Sequence, residues 1–318
     1  MKNVTLRQMR VFAEVAKHLS FTRAAAALHL TPPAVTMQVK EMEAQVGLPL
    51  FDRQGRVIAL TTVGEYLLAY VRRLLAVMKD AEDAIARFKG LQGGMLNVGM
   101  VSTAEYFVPR LLARFRAEHP AIEVKLLLGN REQLVQLMQR GEVDLAIMGR
   151  PPKEWATRAE PFAMHPHVLV TAPDHRFGRI GHVPASALAD EGFIVREVGS
   201  GTRAALEEYM RERQLEMRVV MEMSSNESIK QAVMAGMGVS LLSLHTIALE
   251  LELGLLRTPE VEGLPVMRRW HVVNNLAKTL SPAAEALRYF VLEQGEAQLA
   301  AIFGPERLSS IKDNATTA

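Results

Sequence analysis

Residues 20–47 read SFTRAAAALHLTPPAVTMQVKEMEAQVG, and two helical stretches are packed into them with almost nothing between. Thr22 is placed to cap a short helix over Arg23–Leu28, whose four consecutive alanines let another helix approach closely. His29-Leu30-Thr31 is a tight connection. Thr31 then caps the next helix, with Pro32 in its first turn, where a missing N–H costs nothing, and Gly47 ends it. On that helix Val35, Val39, Met42 and Val46 form one apolar stripe, which leaves Pro33, Thr36, Met37 and Lys40 facing outward. Two helices joined by a short turn, the second with a small and weakly charged outer face, make a helix-turn-helix whose second helix can enter a major groove.

Working outward, the apolar residues of Leu6–Leu19 recur at helical spacing and predict a first helix that packs on the other two. Downstream, Leu50-Phe51-Asp52-Arg53-Gln54-Gly55-Arg56 followed by Val57–Leu60 is a polar glycine-containing turn between short apolar segments. This reads as a wing, with Arg53 and Arg56 placed for phosphates. Thr62 and Glu65 have capping-box spacing and open a long helix. Along it Leu67, Val71, Leu74, Met78, Ala81, Ile85 and Phe88 step by four and three, a coiled-coil seam that lasts to the glycines at 90, 93 and 94. A lone helix of this length predicts pairing with a second copy, the alternative being packing on the rest of the chain.

After Gly94 strands and helices alternate: Met95–Val101, Phe107–Glu118, Ile122–Leu128, Arg131–Arg140 and Asp144–Met148. That order implies parallel pairing in a right-handed α/β sheet. A second set has strands at Val168–Thr171, Gly192–Arg196, Val219–Met223 and Val239–Leu242 and helices at Thr202–Gln214 and Ser228–Ala235. Met267–Val273 reads as a return strand and Ala283–Glu293 as a closing helix. The tail after Pro305 is weakly patterned.

Charge is unevenly spread. The net is only +2, but residues 1–92 hold 13 lysines and arginines against 8 acids, and the remainder 24 against 27. A basic head on a neutral body suits a polyanionic partner. The absence of cysteine excludes disulfides, thiolate zinc sites and cysteine redox switches. No apolar run is long enough to span a bilayer and the first residues are no signal peptide, so a cytoplasmic protein is expected. His165-Pro166-His167, with His175 and His182, is the one cluster that invites a metal; it lacks ligand spacing, and no metal or cofactor is expected. Neither a nucleotide-binding loop nor a hydrolase elbow is present, and no catalytic constellation emerges, so an enzyme is not expected.

Ser20-Phe21-Thr22-Arg23-Ala24-Ala25, then Leu28, Thr31, Pro33, Ala34, Val35, Gln38, Val39, Glu43, Gly47, Leu50-Phe51, Arg53, Arg56, Leu60-Thr61 and Gly64 strongly resemble the N-terminal signature of LysR-type transcriptional regulators. The stretches at 101–107, 129–132, 146–152 and 199–203 look like the CbbR branch, regulators of carbon dioxide fixation operons. Met37 stands where many members carry an arginine. The resemblance implies a winged helix-turn-helix over 1–61 and a linker and dimerisation helix over 62–92. Behind these it implies an α/β sensor of two Rossmann-like lobes, folded like a periplasmic solute-binding protein. Lobe I would be 93–165 with 267–300, lobe II 166–266, and the tail 301–318. It also implies a homodimer assembled into a homotetramer, operator DNA as partner and contact with RNA polymerase.

Thr31, Pro32, Pro33, Thr36, Met37, Gln38, Lys40, Arg53 and Arg56 are then the expected DNA contacts. Open α/β sheets hold ligands beyond the carboxyl ends of their strands, which here offer Ser102, Thr103, Asn130, Arg131, Met148 and Gly149. The second lobe would add Arg196 and Ser200-Gly201-Thr202-Arg203, a strand-to-helix turn whose free N–H groups suit phosphate or carboxylate. A small anionic metabolite, phosphorylated if the CbbR resemblance holds, is the expected effector. The competing readings are a solute receptor or an enzyme on the same two-lobed fold, and only a regulator predicts salt-dependent DNA binding.

Overall fold

The computed structural model describes residues 4–54, 57–88 and 94–304. It divides into two compact units, residues 1–88 and 89–318. In the first, α1 (Leu6–His18), α2 (Phe21–Ala27) and α3 (Pro32–Val46) precede the antiparallel pair β1 (Phe51–Gln54) and β2 (Val57–Leu60), and α4 (Thr62–Phe88) follows. The cap of α2 is Ser20, whose Oγ accepts the Arg23 N–H at 3.3 Å; the expected Thr22 lies inside the helix. Thr31 caps α3 as expected, accepting from the Ala34 N–H. Val35, Val39 and Met42 are buried against Val11, Phe12, Val15 and the alanines of α2, and Phe51 meets the edges of Phe12 and Phe21 at 5.4 and 5.8 Å.

The wing is tied back to α3. Glu43 Oε1 accepts the N–H groups of Leu50 at 2.8 Å and Phe51 at 3.2 Å, which fixes where β1 begins. The start of α4 differs from the expected Thr62–Glu65 box: Thr61 Oγ1 accepts the Gly64 N–H at 3.0 Å, so Thr61 is the cap.

The second unit is built on a six-stranded mixed sheet in the order β4-β3-β5-β10-β6-β9. Here β3 (Gly94–Val101) pairs in parallel with β4 (Ile122–Gly129) and β5 (Leu145–Met148), with α5 (Val108–Glu118) and α6 (Arg131–Gln139) as crossovers. The largest departure from expectation is β6 (Thr157–Val170), fourteen residues paired along β10 (Val266–Asn275) in antiparallel register. Only Val168–Thr171 was expected there, because Pro161 and Pro166 argue against a strand. These two strands carry the sheet from one lobe into the other. β5 pairs with the far half of β10, and β9 (Ser240–Ser243) pairs with the last residues of β6. The lobe boundaries placed at 165/166 and 266/267 therefore fall inside β6 and β10.

Lobe II adds the parallel pair β7 (Gly192–Arg196) and β8 (Arg218–Met223) with α7 (Gly201–Glu212), α8 (Asn226–Met234) and the short α9 (Ala248–Glu252). The closing helix α10 (Pro282–Phe303) is longer than expected. It packs Leu287, Phe290, Val291 and Leu299 on lobe I, and Phe303 is buried too, 4.6 Å from the His245 ring. The tail set to begin at 301 thus still holds core residues; 305–318 lie outside the described residues.

Candidate functional site

The expected DNA-binding and effector-binding residues fall on two surfaces, one in each unit. On α3, Thr31, Pro32, Pro33, Met37 and Lys40 are exposed and Thr36 and Gln38 half-buried. Met37 is 54% exposed, its side chain projecting from the outer face of α3. Thr36 donates its hydroxyl to the Pro32 carbonyl at 2.9 Å, which leaves its methyl and oxygen lone pairs available. Gln38 Nε2 donates to Glu41 Oε2 at 3.3 Å. The Arg53 backbone lies in β1; its side chain and all of Arg56 are outside the described residues.

The seam on α4 is only partly as expected. Leu67 and Val71 are buried in the core of their own unit. Leu74, Met78 and Ile85 are exposed, Ala81 with them, and Tyr66, Tyr70 and Val77 extend the same apolar strip. The Phe88 side chain lies outside the described residues.

The second surface is a narrow cleft between the two lobes of the sensor unit. Ten of the eleven expected effector residues line it: Ser102, Thr103, Asn130, Arg131, Met148, Gly149, Arg196, Ser200, Gly201 and Thr202. Arg203 does not. Its guanidinium is turned away to Glu207 at 2.7 Å and to Glu222, and these acids hold its pKa above the ordinary value.

Each lining residue is positioned by a strand end or helix start. Ser102 and Thr103 follow β3; Asn130 caps α6 by accepting from the Gln133 N–H at 3.0 Å. Ser200 caps α7, its Oγ accepting the Thr202 N–H at 3.2 Å, which sets the start of that helix beside the cavity. Arg196, at the end of β7, is almost fully buried and crosses the cleft. Its Nη2 donates to Ser102 Oγ at 3.0 Å, its Nη1 to Asn226 Oδ1 at 2.7 Å, and its Nε to Glu197 at 2.8 Å. Arg131 is held by Glu154 at 3.1 Å and by the Arg150 carbonyl at 3.0 Å.

Five lining residues were not anticipated as effector contacts: Val101, Arg150, His165, His167 and Arg268. Arg268 donates to the Gly201 carbonyl at 2.9 Å and reaches Glu208 at 3.3 Å; burial holds its pKa below the ordinary value. The lining includes four arginines and no carboxylate. The deep wall is histidine. His165 is buried and stacks on Trp270 with ring centroids 3.7 Å apart, and His167 lies 4.3 Å from it. Burial pushes His165 well below the usual imidazole range and His167 to about 3, with Arg268 adding to both. Both rings are therefore neutral at physiological pH. Among the described residues no group of histidines and acids could hold a metal ion.

The lysR-family "Bacterial regulatory helix-turn-helix protein" model matches residues 6–65 and the "LysR substrate binding domain" model residues 89–296. The chain belongs to the LysR family of transcriptional regulators. It is similar to the HTH-type transcriptional regulator CbbR of Rhodospirillum rubrum, 50% identical over 286 residues, which are 90% of this chain and 95% of that one. It is also similar to the regulator CfxR of Cupriavidus necator, 46% identical over 293 residues, 92% of each chain. Among solved structures, the regulatory domain of Synechocystis PCC6803 CcmR in complex with 2-PG is 39% identical with a TM-score of 0.61. The match covers 64% of this chain and 97% of that domain. Among the described residues no helix is long and apolar enough to cross a membrane.

Proposed function

We propose that this protein regulates a carbon dioxide fixation operon in response to a small phosphorylated metabolite. The observation that carries the effector class is the cleft lining, with four arginines, several hydroxyls and a helix start but no carboxylate. Such a lining stabilises an anion whose oxygens accept several charge-assisted hydrogen bonds at once. The names of the relatives support the target, and the 2-PG held by the Synechocystis domain supports the ligand class.

In this reading Thr36 and Met37 touch base edges, Met37 and the Thr36 methyl favouring a thymine methyl. Thr31, Pro32, Pro33 and Gln38 position the helix, and Lys40, Arg53 and Arg56 contact phosphates. The exposed strip of α4 joins two copies, the dimers pair into a homotetramer, and the assembly works in the cytoplasm on operator DNA and RNA polymerase. The protein acts as a regulator, not an enzyme.

The test is fluorescence anisotropy with DNA from upstream of the gene and of the nearest carbon-fixation operon, across salt and with added 2-PG. Binding should weaken steeply with salt, as counterion release requires, and 2-PG should shift it. Equal binding to unrelated DNA, with no response to 2-PG, would overturn the reading.

A further inference from the structure

The entry to the wing carries two backbone donors that the wing cannot satisfy. Continued one step beyond the pair of Phe51 and Leu60, the antiparallel ladder would set Leu50 opposite Thr61, and the two would exchange both bonds. Only one of them forms. The Thr61 N–H donates to the Leu50 carbonyl at 3.0 Å, but the Thr61 carbonyl accepts from the Glu65 N–H at 2.9 Å, because α4 begins there. The Leu50 N–H is left over on a fully buried residue. Phe51, also buried, turns its N–H toward the other edge of β1, where the two-stranded sheet ends.

Glu43, half-buried on α3, takes both donors: its Oε1 accepts from Leu50 at 2.8 Å and from Phe51 at 3.2 Å. Hydrogen bonds to a carboxylate are about twice as strong as neutral ones, and a buried N–H that loses its acceptor is costly. One side-chain oxygen of the recognition helix therefore fixes where the wing starts. From the other side Thr61 grips the same stretch, its hydroxyl donating to the Pro49 carbonyl at 2.8 Å.

We propose that Glu43 is a positioning residue for DNA recognition: its carboxylate locks the wing to the recognition helix, so that phosphates gripped by the wing stand in fixed register with the base edges read by α3. The two ends of this link are close to the contacts they govern. Arg53 lies two residues beyond Phe51 on β1, paired with Ile58, so a shift at Phe51 is carried to it along the strand. Thr36 and Met37 lie on the same helix as Glu43. Glu43 acts through the wing and not on the DNA. The inference rests on the DNA-contact reading above and adds how its two kinds of contact are coupled.

The test is a double-mutant cycle in the full-length protein, followed by anisotropy at stepped salt with a duplex from upstream of its own gene. Arg53→Ala alone should weaken binding about tenfold and lower the salt slope by about one. Glu43→Ala frees the wing, so affinity should fall about tenfold with a similar drop in slope, and adding Arg53→Ala should then cost less than about threefold more. A role in stability alone would leave the slope unchanged and make the two losses multiply. A role through charge alone would give tighter binding once the carboxylate, which repels phosphates, is gone. Either result would overturn the proposal. Two further variants decide the matter even if Glu43→Ala folds poorly. Glu43→Gln keeps an acceptor at the same reach and should hold affinity within about threefold of wild type, with the full slope. Glu43→Asp keeps the charge but is one methylene shorter, and it should lose slope. The reverse ranking would again overturn the proposal. A wild-type slope unchanged by both Arg53→Ala and Arg56→Ala would remove the wing reading itself, and the positioning role with it.

Discussion

Gly64→Ala should destabilise the N-terminal unit although it places a better helix former in a helix. Gly64 lies in the first turn of α4, where its N–H is taken by Thr61 Oγ1 and where the Thr61 N–H donates to the Leu50 carbonyl at 3.0 Å. A Cβ on Gly64 would fall inside that carbonyl oxygen, 3.1 Å from its carbon and 3.0 Å from Leu60 Cδ2. Neither side can yield cheaply, because Leu50 is fully buried and its own N–H is held by Glu43. Alanine for glycine in a helix contributes about 1 kcal/mol of stability. Overpacking a rigid contact costs about 1–3 kcal/mol, and weakening the Thr61–Leu50 bond and the Thr61 cap adds about 1 kcal/mol each. The net loss is about 2–4 kcal/mol. At about 4–8 °C per kcal/mol for a unit of this size, the smaller end already lowers its Tm by several degrees. DNA binding followed against temperature by anisotropy reports this unit separately from the sensor. A midpoint equal to or above that of the wild type would refute the close-contact argument.

Leu74→Asp or Met78→Lys should abolish dimerisation and with it tight DNA binding, read by analytical ultracentrifugation, since a charge would enter the exposed strip of α4. Thr36→Ala and Met37→Ala should change which operator bases matter in a binding-site selection, whereas Lys40→Ala should weaken all sequences alike and reduce the salt slope by about one. Unaltered preference in the first pair would place the reading face elsewhere. The sensor unit should lose stability as pH falls from about 6.5 toward 3. Its buried histidines have depressed pKa values, so below the unfolded value the unfolded chain binds more protons and is favoured. His167→Phe should flatten that loss in urea unfolding at stepped pH; an unchanged pH profile would count against it.

The helix-turn-helix was legible because its signals are local: caps, a proline at a helix start and a four-residue stripe each act within a turn or two of their own position. The cap errors show the limit, since Ser20, Thr22, Thr61 and Thr62 are chemically equal candidates and only the emerging helix axis selects one. The seam on α4 is divided, its first two positions buried in their own unit and Leu74, Met78, Ala81 and Ile85 exposed. A four-three pattern states that a stripe is buried but not whose core buries it, and Leu67 and Val71 are claimed by α1 and the wing before a second copy could reach them.

The cleft was legible to the extent that strand ends and helix starts can be counted, which places backbone donors well and side chains poorly. Arg203 is the third residue of α7, and its direction is decided by Glu222 on the neighbouring β8 and Glu207 one turn on, acids that no reading of the turn itself weighs. His165 and His167 stand in the opposite case. They are two residues apart, so on a strand they share a face. Pro166 between them argues against the strand, yet it pairs with Met267 on β10, and the same strand carries Trp270 to stack on His165. The strand survives because β10 and β9 supply its partners from about a hundred and about seventy residues further along the sequence. Because that pairing is non-local, a histidine pair that looked like a weak metal motif becomes the polar wall of a ligand cleft.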